Sequence, residues 1–304
     1  MLASLLGAGT CALGSVWLYQ AEHQAAQHSF DLAADHTAAE LQRRFADTTT
    51  ALNALRGLVV GTSDLSASQF EQFVAQQDLP RRLPGIRQLG HAQRADLGTQ
   101  YSVRFVQTWP SAGDPIGWDL GAEPQRREAL QRAIDSGQAT QTEPPLRAPG
   151  TPGESRTWVI LPVYLPGQSI ATPRARRAAT TGAVFVSVVP GELLQGLDAV
   201  DTGRIALTLR DTGHAERPEP PVLHDTTAPG AAPWFRRVQR LELNGRPVTL
   251  TLASTPAAEQ AVHSRRSWLL ALGGGLFGVL LAGLLGRSAQ AHRSAHRRGV
   301  PSAR

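Results

Sequence analysis

Lysine is missing from the chain: all 30 basic residues among its 304 are arginine, which reads as the coding bias of a GC-rich genome and not as a functional device. Cysteine is almost missing as well. The single Cys11 excludes a disulfide framework and a zinc site built on a cysteine cluster. The nine histidines are dispersed, and no G-x-S-x-G, H-E-x-x-H, P-loop or dinucleotide fingerprint is present, so no recognised catalytic constellation is assembled. The expectation is a protein that is not an enzyme, with no catalytic residue, no metal and no cofactor. Long basic runs and aromatics interleaved with them are lacking too. The net charge of +5 is carried by scattered arginine pairs such as Arg43/Arg44, Arg81/Arg82, Arg126/Arg127 and Arg236/Arg237, which argues against a nucleic-acid partner.

What the chain does have is two uncharged apolar segments, Leu2 to Tyr19 and Trp268 to Gly286. Each is close to the ~20 residues that a helix needs to cross hydrocarbon. Transmembrane helices are expected at 2–19 and 267–286. Arg265 and Arg266 precede the second; Arg287, Arg293, Arg297 and Arg298 follow it, and the more basic side belongs in the cytoplasm. The tail 287–304 is then a basic cytoplasmic segment facing the lipid headgroups. The residues between the spans lie in the periplasm, and the protein is a multi-pass protein of the inner membrane. For the first segment a cleaved signal peptide is the other reading, although no Arg precedes its apolar run. Gly274, Gly278, Ala282 and Gly286 recur every four residues, as do Ala3, Gly7, Cys11 and Ser15; small residues at this spacing let helices approach closely in lipid, in a homodimer or between the two spans.

Between the spans, residues 20–61 read as one long helix. Leu41, Phe45, Thr48, Leu52, Leu55 and Val59 alternate spacings of four and three and form an a/d seam. This stripe either packs on its own domain or pairs a stalk with a partner chain. Ser66 and Gln69 resemble a capping box ahead of Phe70, Phe73 and Val74. Glu123-Pro124 opens a helix with Leu130, Ala133 and Ile134 on its buried stripe and Gly137 at its end. Strands are expected near 86–90, at 101–107, 157–164, 182–189 and 204–211, and as a hairpin of 236–243 and 247–253 joined by Asn244-Gly245. Segments 148–154, 169–179 and 215–230 read as loops, the middle one carrying Arg174, Arg176 and Arg177.

The order of these elements resembles the CHASE domain, an extracytoplasmic sensor module of receptor kinases and cyclases. The likeness is carried by Leu83 to Gly90, by Gly117-Trp118-Asp119-Leu120-Gly121-Ala122-Glu123-Pro124 running on to Leu130, by Asp135-Ser136-Gly137 and Thr142, by Leu161 to Tyr164 and by Gly182 to Val186. It implies an α+β fold: a long N-terminal stalk helix and two PAS-like, mainly antiparallel sheets between two transmembrane helices. The membrane-distal part would span 62–180 and the membrane-proximal part 181–262.

The same resemblance implies an unknown small-molecule ligand in the distal part, with Asp119 and Thr142 at positions that contact or flank the ligand in cytokinin-binding members, and with Gly117 and Tyr164 beside them. A carboxylate accepts from ring N–H donors and a threonine hydroxyl donates or accepts. Asp119 reads equally as a turn residue bonded to loop amides, and Tyr164 as core packing. Arg126 and Arg127 read as a solvated helix face. Pro144 and Pro145 disfavour a central strand where the family has one. Members of the family usually continue into an output domain, whereas here 18 residues follow the second span. Two readings stay open: a sensor that signals through a separate cytoplasmic-output partner, or a remnant of a sensor kinase or diguanylate cyclase.

Overall fold

In the computed structural model the described residues are 2–95, 98–110, 116–143, 146–147, 155–213, 219–228, 230 and 232–261. The second apolar segment, with Gly274, Gly278, Ala282 and Gly286, and the tail 287–304 lie outside them, as do the side chains of 2–19. Among the described residues no helix is long and apolar enough to cross a membrane. The chain divides into one unit of 1–26 with 256–304 and another of 27–255, which carries the sheets.

Helix α1 runs Leu2–Gly61. A capped helix α2, Ala67–Gln76, follows: the Gln69 amide donates to Ser66 Oγ, and the Ser66 amide donates to Gln69 Oε1, as the sequence foretells. Then come α3 (Leu79–Arg82), β1 (Ile86–Arg94), β2 (Tyr101–Thr108), α4 (Pro124–Ser136), β3 (Thr140–Gln141), β4 (Leu146–Arg147) and β5 (Ser155–Tyr164). They are followed by α5 (Pro173–Ala179), β6 (Thr180–Val188), α6 (Pro190–Leu193), α7 (Asp198–Asp201), β7 (Ile205–Asp211), β8 (Val222–Asp225), β9 (Arg236–Leu243) and β10 (Arg246–Ser254). The larger sheet has the order β2-β1-β6-β5-β3 with β4 beside β5; the smaller has β8-β7-β10-β9, and all pairings are antiparallel. This is the expected α+β architecture of one long helix and two antiparallel sheets.

Several expectations are corrected. A boundary at 180/181 cuts through the larger sheet, because β6 is its middle strand, hydrogen-bonded to β1 and β5. Residues 173–179, expected as loop, are helical: the Thr172 hydroxyl accepts from the Ala175 amide and Pro173 occupies the first turn. The C-terminal end of α4 holds this helix, with Arg176 Nε donating to the Asp135 carbonyl at 2.8 Å and Arg177 pairing with the Asp135 carboxylate at 2.6 Å. The bonds from Arg177 keep the Asp135 carboxyl below the usual carboxylate range. Strand β8 was hidden in the expected loop 215–230. The strand beside β5 is broken into β3 and β4, which flank Pro144 and Pro145, themselves outside the described residues.

The seam of α1 faces the chain's own sheets. Leu41, Phe45, Thr48, Leu52 and Leu55 are buried, and the apolar ones join a core shared with Leu89, Val184 and Val186 of the larger sheet and Leu207, Leu250 and Leu252 of the smaller. Of the two readings of this stripe the structure shows the first, so the seam is not open to a partner helix. Each such leucine contributes roughly 1.5–3 kcal/mol by leaving water. One ring stack and several polar bonds fix the helix further. Phe30 stacks on Phe235 at 5.7 Å, Arg237 reaches Asp35 at 2.7 Å, and Thr49 Oγ1 donates to Asn244 Oδ1 at 2.9 Å. Asn244 and Gly245 adopt φ of 48° and 73°, the two positive values that a tight hairpin turn requires.

His91 on β1 is buried among apolar neighbours beside Phe105, its Nδ1 lacks a hydrogen-bond partner, and burial, helped by Arg104, lowers its pKa to about 4. Because the folded value lies below the unfolded ~6.5, the unfolded chain takes up the proton first and stability falls as pH drops through that window. From pH 7 to 5 the expected loss from this group is about 2 kcal/mol. Urea titrations of the wild type and His91→Leu at both pH values check it: the variant should lose that part of the slope, and an unchanged slope would assign the acid sensitivity to other groups.

Candidate functional site

The period-two alternation of the larger sheet separates its two faces. Leu89, Val159, Leu161, Val184 and Val186 point towards α1, whereas Ala92, Ile160, Ala183 and Phe185 point the other way and pack with Leu120, Ala129, Leu130 and Ile134 of α4 and its preceding loop. Across this second face, register places Thr108, Gln88, Ser187 and Trp158 in one transverse row over β2, β1, β6 and β5. Thr142 extends the row: its amide donates to the Trp158 carbonyl at 2.8 Å, and its hydroxyl accepts from the Trp158 amide at 3.1 Å. Gln88, Ser187 and Thr142 have no exposed surface, and Ser187 Oγ donates to Gln88 Oε1 at 3.4 Å. An apolar core thus ends in a buried, uncharged polar row.

Aromatic rings gather at the Trp158 end of that row. Trp118 meets Trp158 edge-on at 5.7 Å and Phe185 at 5.9 Å, and Trp158 lies 5.5 Å from Phe185. Phe185 itself lies over the bare backbone of Gly90, where a Cβ would come within 2.5 Å of its ring. Over both indoles sits the guanidinium of Arg126, with Cζ 4.8 Å from the Trp118 centroid and 5.0 Å from that of Trp158. Pro124 starts α4, and helical side chains lean back towards the N-terminus, so Arg126 reaches the preceding loop and Nε donates to the Leu120 carbonyl at 3.0 Å. The Glu123 carboxylate lies 3.5 Å from Nη1. The Nε1–H of Trp118 is buried and has no hydrogen-bond partner.

Arg126 is therefore not part of a solvated face; it is 8% exposed. Its spacing of four, seven and eight from Leu130, Ala133 and Ile134 puts it on the buried stripe, a signal that the neighbouring Arg127 obscured. Arg127 is exposed and braces the loop, Nε donating to the Gly121 carbonyl at 2.9 Å.

The expected ligand residues are only partly brought together. Thr142 lies in the polar row. Asp119 does turn work: Oδ1 accepts from the amides of Tyr101 at 2.9 Å and Gly121 at 3.0 Å. Gly117 has φ of 99° and donates its amide to the Val103 carbonyl at 2.9 Å; that conformation suits glycine and shapes the turn that carries Trp118. Tyr164 lies six positions along β5 from Trp158, roughly 20 Å away at strand rise. Its hydroxyl donates to the Ile134 carbonyl at 2.9 Å, and its ring lines a separate open hollow of about 450 Å³ with Arg56, Gly137 and Arg176. Trp118, Trp158, Phe185, Gln88 and Ser187 are the residues that sequence reasoning missed, because only strand register puts them side by side. Among the described residues no group of three His, Cys, Asp or Glu side chains is placed to hold a metal ion.

The family model described as CHASE domain matches residues 63–223. No curated protein matches the chain. Among solved structures, an extracellular ligand binding receptor from Desulfohalobium retbaense aligns at 13% identity and a TM-score of 0.49, over 74% of this chain and 40% of that one, so the chain spans well under half of that receptor. The ligand-binding domain of the Pseudomonas aeruginosa amino acid chemoreceptor PctB, in complex with L-Arg, aligns at 15% identity and a TM-score of 0.46, over 82% of this chain and 98% of that one. A domain of a sensory box/GGDEF family protein from Vibrio parahaemolyticus aligns at 10% identity and a TM-score of 0.47, over 78% of this chain and 98% of that one.

Proposed function

This chain belongs to the CHASE domain family, and from that premise we propose that it is a periplasmic sensor, a binding module and not a catalyst, which takes a small ligand on the α4 side of its larger sheet. The observation that carries this reading is the buried polar row with an aromatic cluster at its Trp158 end. Gln88, Ser187 and Thr142 are wholly buried where an ordinary core would be apolar, and the N–H of Trp118, which packs on the neighbouring Trp158, has no partner. A run of neutral hydrogen-bonding side chains beside aromatic rings is the kind of lining that orients a small molecule by a few polar contacts. The two apolar segments would hold the domain to the inner membrane. A partner supplying the cytoplasmic output, reached through the spans, would complete the pathway; because the α1 seam is occupied internally, homodimer contacts would use the opposite side of that helix.

A ligand that binds only the folded chain at a hundred times its Kd stabilises it by about 2.7 kcal/mol. Thermal unfolding of the detergent-solubilised full chain with purines, amino acids and organic acids should therefore reveal a stabilising class. Gln88→Leu, close to the same volume, should abolish the shift. A shift that persists in Gln88→Leu would move the site off this row, and the absence of any stabilising compound would remove the sensor reading.

A further inference from the structure

The hollow beside Tyr164 is separate from the polar row. Its walls come from α1, the C-terminal end of α4, the end of β5, and α5 with the loop before it, and it holds about 450 Å³. Among the described residues its lining has two guanidinium groups, Arg56 and Arg176, and no carboxylate. The Asp135 carboxylate, close by in sequence, is taken by Arg177 at 2.6 and 2.7 Å. Burial pushes the Tyr164 phenol up, against the pull of Arg176 and Arg56, so both cations act on one spot.

The two arginines are engaged differently. Arg176 is spent on backbone: Nε at 2.8 Å and Nη2 donate to the Asp135 carbonyl, and Nη1 donates to the Ile170 carbonyl at 2.8 Å. With the Tyr164 hydroxyl on the Ile134 carbonyl, these bonds satisfy helix-end carbonyls that would otherwise attract a cation. Arg56 has one partner among the described residues, Asn53 Oδ1, which accepts from Nη2 at 2.7 Å. Whichever hydrogen Nη2 gives, one edge of this guanidinium keeps two N–H groups open. Val60, one turn further along α1, and Ile170 are 43% and 48% exposed, so aliphatic side chains stand in water on the walls of the same hollow.

We propose that this hollow binds a small aliphatic monocarboxylate, with Arg56 as the residue that recognises it. Two coplanar oxygens match the open guanidinium edge. The tail lies against Val60 and Ile170 and removes apolar surface from water. One available cation matches one negative charge. The second guanidinium, in a lining without an acid, disfavours an ammonium group, so an α-amino acid of the same skeleton is rejected. Nothing in this assignment depends on the polar row.

Calorimetry on the detergent-solubilised full chain tests it, with 4-methylpentanoate, its carboxamide, leucine, acetate and inorganic phosphate as probes. The branched carboxylate should bind about tenfold tighter than its carboxamide, which cannot form the charge-assisted pair. It should also exceed leucine, which adds an ammonium to the same skeleton, and exceed acetate by about tenfold, because an open hollow buries the extra carbons only in part. Arg56→Gln should erase the preference over the carboxamide. Ile170→Asp sets a like charge in the hollow and should remove carboxylate binding; where Arg56→Gln fails to fold, as its melting temperature would reveal, Ile170→Asp decides. Gln88→Leu should leave the affinity unchanged, so failure of this site and failure of the polar row are read separately. The proposal is overturned if the carboxylate is not preferred over its carboxamide, or if the preference survives Arg56→Gln or Ile170→Asp. Leucine, acetate or phosphate binding as tightly would also overturn it, as would loss of binding in Gln88→Leu or no binding at all.

Discussion

Arg246→Ala should destabilise the domain by about 3–5 kcal/mol, the cost of breaking a buried ion pair from one side. Arg246 and Asp211, on neighbouring strands of the smaller sheet, are joined by two bonds, from Nε at 2.9 Å and from Nη2 at 3.1 Å. Their side chains are 6% and 1% exposed. Glu143, from the larger-sheet part of the chain, lies 3.8 Å from the same guanidinium. Loss of the arginine takes the bidentate partner from Asp211 and a nearby cation from Glu143, whereas Asp211→Ala leaves the cation beside Glu143. The order of damage is therefore Arg246→Ala above Asp211→Ala. Replacing both partners with apolar groups, Asp211→Leu with Arg246→Met, should recover most of the loss, since the pair's attraction largely offsets its own desolvation. Urea denaturation midpoints give these differences directly. A single variant costing under about 1 kcal/mol would mean that water reaches the pair.

Phe185→Ala should cost a similar amount, about 3–5 kcal/mol, by a different route. Phe185 is wholly buried and touches both Trp118 and Trp158, so truncation removes transfer energy and leaves a void that the rings fill only in part. Gly90→Ala cannot fill the void from the other side, because the new Cβ would sit 2.6 Å from the Phe105 carbonyl oxygen, which is backbone and cannot swing away. The double variant should be no more stable than Phe185→Ala. Thermal melts and tryptophan emission give the check, and a rescue by Gly90→Ala would show that the sheet yields there.

The regular elements were legible where local chemistry decides them. The capping box at Ser66, Glu123-Pro124 ahead of α4 with Gly137 at its end, and the Asn244-Gly245 hairpin each act over a few residues and fall where expected. Helix α5 was equally local, with Thr172 and Pro173 as its signal, but its Ala and Arg composition read as loop. Sheet membership was not legible. Strand β6 follows α5 closely in sequence, yet it lies between β1 and β5, because long-range pairing overrides chain order. The candidate site suffered for the same reason: Gln88, Trp158 and Ser187 are far apart in the chain and meet only through register. Asp119, the residue that the family likeness favoured, accepts loop amides, which is the commoner duty of a carboxylate in a glycine-rich turn.

Both sheets take their place from one face of α1, with the Phe30 to Thr49 stretch clasping the smaller and Arg56 and Val60 lying beside Tyr164 of the larger. Helical phase is therefore a shared coordinate. Each residue added to or removed from α1 between Thr49 and Leu52 rotates all that follows by about 100°, which would swing Leu52 and Leu55 out of the core while leaving Leu41 and Phe45 in place. Changes near seven residues restore the phase but slide one sheet along the helix by roughly 10 Å. The length of this helix is accordingly a locked dimension, and any chimera that grafts another sensor's N-terminal half onto this domain has to be cut in register with that face.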